Sequence, residues 1–240
     1  MKHGVRKLWD TKGDRSALRK MYHDNAMLYE HFLTNQVKPI ETNRQWEQLD
    51  AVSLQCYEAS THIEKLLVSR RTIRSVSNQE MSSEFIAKLL QFCAGVSGET
   101  DDGYKLFTYP SPGATYATTV FITVNGWKEN YLYRYNPYNH TLEYFKEDVD
   151  HQASNIIYDK ALQSFPVKIF LASDYQLIEE KYGEMGYRLL LLEMGHIAQN
   201  ISLYSFACGY HSVCLGGYNE PLFKKTFSMD HDLHYVVVVG

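Results

Sequence analysis

Beyond residue 118 the chain breaks into short β-rich runs, and this change of register limits its fold more than any other feature of the sequence. The runs are Thr119 to Val124, Tyr131 to Tyr135, Leu142 to Phe145, Val167 to Leu171 and Tyr235 to Val239, each rich in β-branched and aromatic residues. Asn136-Pro-Tyr-Asn-His140 reads as the turn between two of them. Two helical segments, about Ile156 to Phe165 and Arg188 to Ala207, fall among the strands. There is no regular strand-helix-strand alternation and no G-x-G-x-x-G fingerprint, which disfavours a Rossmann fold. The expected class is α+β, with a largely antiparallel or mixed sheet flanked by helices.

Ahead of the strands lies the clearest amphipathic helix. Ser82 offers a cap, Phe85, Ile86, Leu89, Leu90 and Cys93 share one helical face, and Gly95 closes it. Further upstream, Asp14 to Phe32 is loosely helical, Val37 to Asn43 reads as a connector around Pro39, and Gln45 to about Ile63 is polar and poorly patterned. Residues 1–62 therefore read as an N-terminal helical appendage, and 63–240 as the main domain. A length of 240 residues suits one sizeable core, since single cores grow to roughly 250 residues.

Composition removes several function classes. Hydrophobic and charged fractions of 45% and 22% are globular values, and a net charge of -4 gives no electrostatic case for nucleic acid or an anionic membrane. The longest apolar runs, Leu189 to Leu192 and Val236 to Val239, are far short of the roughly 20 residues of a membrane helix. Cys56, Cys93, Cys208 and Cys214 show no C-x-x-C spacing and the start lacks a signal-peptide run, so a reduced, cytoplasmic protein is expected. The 19 tyrosines and 11 phenylalanines suit an extensive contact surface such as a dimer seam or cofactor pocket, and equally an aromatic-rich core.

Four segments carry candidate chemistry, each with a plainer alternative. Arg70, Arg71, Thr72 and Arg74 gather guanidiniums and a hydroxyl that match a phosphate, or form a solvated basic turn. In Tyr109-Pro-Ser111-Pro-Gly113-Ala-Thr-Tyr116, small residues let backbone amides approach a flat ligand and Ser111 can donate to a ring heteroatom; an ordinary tight turn explains the loop as well. Glu193, Gly195, Gln199 and Asn200 interrupt an apolar helix, either bonding one another and the backbone or holding a polar ligand, and Gly195 suggests close approach of another element. Lys181 and Tyr182 stand side by side before that helix as loop residues or as proton-transfer groups. His231 and His234 lack a cysteine pair or an H-E-x-x-H motif, so no metal is expected, and neither a G-x-S-x-G elbow nor a P-loop is present.

The order of these motifs, completed by Gly216-Gly217, resembles the nitroreductase superfamily. Within it the sequence looks like the azoline dehydrogenases of the streptolysin-S and microcin type, which oxidise thiazolines and oxazolines in ribosomal peptides. The likeness runs from about Ile63 to Gly240, and Tyr22-His23 looks like the short N-terminal segment of many such proteins. It implies FMN as cofactor, with Arg70, Arg71, Thr72 and Arg74 at its phosphate and ribityl chain. It further implies that Ser111, Gly113, Gln199, Asn200, Gly216 and Gly217 line the flavin, and that Lys181 and Tyr182 are catalytic. A homodimer with shared sites, a precursor-peptide substrate and a cyclodehydratase partner are implied too. Pro112, Ala117 and Thr72 depart from the family's usual residues, and Lys224 and Lys225 are the candidates for a basic residue that many members carry beyond the last strand. An NAD(P)H-dependent nitro or quinone reductase and a flavin-free scaffold subunit are the alternative readings.

Overall fold

The computed structural model describes residues 15–26, 51–127, 131–147 and 150–240. Seven α-helices and eight strands occur there: α1 (Arg15–Ala26), α2 (His62–Ser69), α3 (Ser83–Ala94), β1 (Val96–Glu99), β2 (Lys105–Phe107), β3 (Thr118–Val124), β4 (Leu132–Asn136), β5 (Thr141–Lys146), α4 (Asp150–Asn155), β6 (Val167–Ser173), α5 (Gln176–Tyr182), α6 (Met185–Ala207), β7 (Ser212–Leu215), α7 (Glu220–Phe227) and β8 (Asp232–Val239). Six strands form one sheet in the order β5-β4-β3-β6-β8-β7, antiparallel throughout, and β1-β2 make a small separate pair.

Side-chain alternation splits this sheet between two cores. Val120, Ile122, Ile169, Leu171, Val237 and Val239 face the cluster built on α3 and α6. Their strand neighbours Phe121, Phe170, Val236 and Val238 face the other cluster, which contains Ile156, Phe165, Phe223 and Phe227. The result is a three-layer α+β sandwich, and every residue of the inner strand β6 is buried. Among the described residues no helix is long and apolar enough to cross a membrane.

Ser82 caps α3 by accepting from the Phe85 amide, as its sequence predicts. The helix expected over Ile156 to Phe165 is not formed: α4 ends at Asn155, Ile157 makes a bridge to Tyr218, and only a single 3-10 turn follows at Leu162–Ser164. Its apolar spacing arises because Ile156, Ile157, Leu162 and Phe165 pack under the sheet, and Asp159 ties the Ala161 amide into a turn instead. Within the segment expected as loosely helical, α1 covers Arg15–Ala26, whereas residues 27–50, including the Val37 to Asn43 connector, lie outside the described residues. The boundary expected between residues 62 and 63 falls at the first turn of α2, which a Thr61-Glu64 capping box begins.

Candidate active site

Lys181 and Tyr182 are the last two residues of α5, held at a sharp corner before α6. Gly183 makes the corner at φ 57°, ψ -144°, a region closed to side chains. The buried Tyr175 hydroxyl staples it, donating to the Gly183 carbonyl at 2.9 Å and accepting the Tyr187 amide at 3.1 Å. Thus a polar pair that would otherwise swing freely leaves the corner in a defined direction.

The Ser111-to-Tyr116 loop meets the pair. Gly113, Ala114 and Tyr116 have φ of 55°, 54° and 48°, and for the two non-glycines that left-handed backbone is unfavourable. At the loop apex the Gly113 carbonyl accepts the Lys181 Nζ at 2.6 Å. A Cβ at Gly113 would overlap the Tyr182 hydroxyl and sit 2.6 Å from the Lys181 Nζ, so only glycine admits both side chains. The Lys181 Nζ also lies 5.7 Å from the centre of the Tyr182 ring. The Tyr182 hydroxyl makes no hydrogen bond among the described residues. Four predicted residues, Ser111, Gly113, Lys181 and Tyr182, are therefore brought to one place.

Behind this loop stands Glu193, which is fully buried on α6. Its carboxylate accepts the Thr118 amide at 2.9 Å, the Thr118 hydroxyl at 2.6 Å and the Ser111 hydroxyl. Ser111 also accepts the Tyr116 amide at 2.8 Å. Its single proton is committed to Glu193, so the hydroxyl keeps an acceptor lone pair for a ligand and has no donor to offer a ring heteroatom. Burial, followed by the nearby Glu193 charge, raises the Tyr109 phenol above its usual range and keeps it neutral. A pocket of about 240 Å³ borders the loop, lined by Phe107, Tyr116, Tyr135 and Tyr138.

The other predicted polar positions of α6 differ from one another. Asn200 is half-buried and its amide donates to the Thr108 and Cys93 carbonyls at 3.2 and 3.4 Å, tying α6 to α3 and to the residue that follows β2. Gln199 is exposed. Gly195 has open space where its Cβ would be, so the close approach expected of another element is not made among the described residues. With Leu192, which is 54% exposed, and Gln199, it forms an open stripe at i, i+3 and i+7.

Arg70, Arg71, Thr72 and Arg74 lie elsewhere. They follow the end of α2, and the next residue, Ser75, accepts His211 Nδ1 at 2.7 Å just beyond the C-terminus of α6. Because α6 spans roughly 34 Å over its 23 residues, the arginine run and the Lys181-Tyr182 corner belong to opposite ends of one helix. Arg71 donates to the Val68 and Arg70 carbonyls, closing α2. Among the described residues no carboxylate pairs with Arg70, Arg71 or Arg74. Gly216 is exposed with nothing within 4 Å of its Cβ position, beside a groove of about 180 Å³ that also touches Tyr22, Tyr187 and Leu191; Gly217 follows it, half-buried.

Lys224 cannot serve as the additional phosphate cation, because its Nζ lies 2.9 Å from Glu220 and 2.6 Å from Asp232. Lys225 remains exposed. The same cluster anchors α1: His23 Nε2 lies 2.6 Å from Glu220 and its Nδ1 2.9 Å from the Tyr187 hydroxyl. Sequence reasoning missed this cluster. His23, Glu220 and Asp232 carry ligand-type atoms within 4.8 Å of one another, and Lys224 already occupies the position between the two carboxylates that a cation would take.

The fold is an α+β sandwich with this corner at one end of its long helix, and sequence comparison makes its family specific. Residues 67–240 match the Nitroreductase family model. A Methanocaldococcus jannaschii protein named as a nitroreductase is 28% identical over 163 residues, covering 66% of this chain and 80% of its own. The chain belongs to the nitroreductase family. Among solved structures, the E. coli microcin synthetase McbBCD complex with truncated pro-MccB17 bound contains a chain that superposes with a TM-score of 0.68 at 21% identity, over 98% of this chain and 96% of that one. A Ralstonia eutropha protein described as a nitroreductase superposes at 0.64 with 20% identity, over 79% and 87% of the two chains. An Exiguobacterium sibiricum relative solved with FMN superposes at 0.54 with 13% identity, over 76% and 89%.

Proposed function

We propose that this protein is an FMN-dependent dehydrogenase that converts thiazolines or oxazolines in a ribosomally made peptide into thiazoles or oxazoles. The observation that carries this reading is the meeting of Lys181, Tyr182 and the Gly113 carbonyl at one corner. A hydroxyl without a hydrogen-bond partner among the described residues, beside an amine fixed by a backbone carbonyl, suits removal of a proton from an acidic carbon. The fold match to a chain of the microcin synthetase complex supports a peptide substrate and a cyclodehydratase partner.

The residues present fit FMN. Arg70, Arg71 and Arg74 form a cationic run without carboxylate partners among the described residues, as a phosphate requires, while Gly216 offers open backbone for a flat ring. Bound FMN supplies the two-electron acceptor for the hydride removed from the ring. To take the α-carbon proton Tyr182 would act as a phenolate, its charge stabilised before the transfer by the Lys181 ammonium that the Gly113 carbonyl holds in place, and it would end as the neutral phenol. Ser111, with its proton turned to Glu193, presents a lone pair to the ligand.

A homodimer belongs to the same reading. The open Leu192-Gly195-Gln199 stripe fits a second copy, and placement of the arginine run and the Lys181-Tyr182 corner at opposite ends of α6 fits sites shared across a two-fold axis. The reading is tested by the visible spectrum of the purified protein, then by its turnover of a synthetic thiazoline peptide. Stoichiometric FMN and loss of two hydrogens from the peptide are expected. A colourless protein that FMN cannot reconstitute, or a flavin bleached rapidly by NAD(P)H with no azoline turnover, would overturn it.

A further inference from the structure

Glu193 poses a problem that packing does not answer. A carboxylate with no exposed surface is costly unless its oxygens are satisfied, and here none of its three donors carries a charge. Those donors have a common geometry. Ser111 and Thr118 are the two ends of the loop that holds the left-handed residues Gly113, Ala114 and Tyr116. One carboxylate on the rigid α6 thus closes the loop at both ends, and the loop apex carries the carbonyl that fixes Lys181 and the bare Cα that admits Tyr182.

We infer that Glu193 is a positioning residue for the Lys181-Tyr182 pair, acting through the Ser111-to-Thr118 loop. Its kinetic consequence rests on the azoline-dehydrogenase reading; its geometry does not. With the clamp removed, the unfavourable backbone at Ala114 and Tyr116 relaxes, the Gly113 carbonyl leaves the Lys181 Nζ, and the Tyr182 hydroxyl loses its fixed direction.

The test uses FMN-loaded full-length protein as wild type, Glu193→Leu, Glu193→Gln, Gly113→Ala and the Glu193→Leu/Gly113→Ala pair. Azoline kcat and KM are followed against pH, together with the resonance of Tyr182 labelled at Cζ. Glu193→Leu is expected to lower kcat about 100-fold with little change in KM, the cost of misplacing a reacting group by about 1 Å. Glu193→Gln keeps an acceptor for Thr118 and can donate to the Ser111 lone pair, so it restores kcat to at least about a tenth of wild type. Since both changes act through one loop, the double variant is no slower than the slower single variant to within about twofold.

Wild-type kcat and an unmoved Tyr182 resonance in Glu193→Leu would overturn the inference, as would a double variant whose loss is the product of the two. Glu193→Gln as damaging as Glu193→Leu, with an unmoved resonance, would reduce Glu193 to a fold residue and overturn it equally. If Glu193→Leu fails to fold, the Ser111→Ala/Thr118→Val pair removes both hydroxyl bonds from the loop side, leaving only the Thr118 amide bond, and is held to the same directions of change in kcat and in the Tyr182 resonance. A wild-type protein that never oxidises azolines sinks the functional reading alone, because the Tyr182 resonance in the variants still decides the geometry.

Discussion

Two glutamates of this chain are almost equally buried, Glu193 at 0% and Glu220 at 2% exposure, yet they keep different company. Glu220 sits in the first turn of α7 with His23 at 2.6 Å and Lys224 at 2.9 Å, so an imidazole and an ammonium meet its carboxylate, and the imidazole brings with it the peripheral helix α1. Burial pushes its carboxyl up, but the His23 and Lys224 contacts outweigh that effect and hold it below the usual carboxylate range. Among the described residues Glu193 meets only an amide and two hydroxyls. Depth alone therefore does not reveal the task of a carboxylate. Charged partners make a latch between elements, whereas neutral donors aimed at one loop make a geometric clamp.

The sharpest way to break this contrast is to remove the latch. Glu220→Ala leaves His23 and Lys224 without their shared carboxylate, and losing one member of a buried pair costs about 3–5 kcal/mol. For a chain of this size that lowers the melting temperature by roughly 10 °C. Hydrogen exchange should show residues 15–26 opening first; unchanged melting and unchanged protection of α1 would mean that Glu220 is no latch.

At the clamp end the expected loss is in rate and not in stability. Tyr182→Phe removes one hydroxyl that makes no hydrogen bond among the described residues, so melting and flavin content stay near wild type while azole formation slows by about 100-fold. Loss of flavin together with activity would assign Tyr182 to structure. At the proposed dimer seam, Leu192→Asp places a charge on the open stripe of α6 and is expected to weaken self-association by about tenfold or more, read by sedimentation. A variant that associates like wild type would move the seam off α6.

Much of the fold was legible because local patterns carried it. The Ser82 cap, the apolar face of α3 and the β-rich runs at β3, β4, β5, β6 and β8 all correspond to formed elements, while no run anticipates β1, β2 or β7. The Thr61-Glu64 capping box and the Asn219 cap ahead of Pro221 were equally local signals for α2 and α7, and pattern reading passed over both. The segment from Ile156 to Phe165 misled because burial beneath a sheet imitates the spacing of a helix. In the site, motif order predicted that Ser111, Gly113, Lys181 and Tyr182 belong together, but not what holds them. The Glu193 bonds span 75 and 82 residues and His23 meets Glu220 across 197, separations at which no local period operates. Gly195 shows the same limit, since a small residue facing open space and one facing a close neighbour look alike in sequence.

Acid should weaken the latch less than the mutation does, and the direction follows from its charges. With the Glu220 carboxyl held below its ordinary value of 4.5, the folded chain takes up that proton at lower pH than the unfolded chain. Its contribution is complete above about pH 4.5 and fades as pH falls through the lower folded value. Burial pulls Lys224 down, but Asp232 and Glu220 outweigh it and raise the amine above 10.5, so its contribution is complete below that pH and fades as pH rises through the raised value. Between these limits α1 stays docked. Below them a protonated Glu220 still offers a hydroxyl and a carbonyl to its neighbours, which is why the loss is smaller than in Glu220→Ala. Hydrogen exchange of residues 15–26, corrected for its intrinsic pH dependence, should rise on acidification past pH 4.5 in the wild type and be already high and flatter in Glu220→Ala. A wild-type α1 that keeps its protection well into acid would show that packing of Tyr22 against Tyr187, with ring centres 5.5 Å apart, holds the helix without the charge.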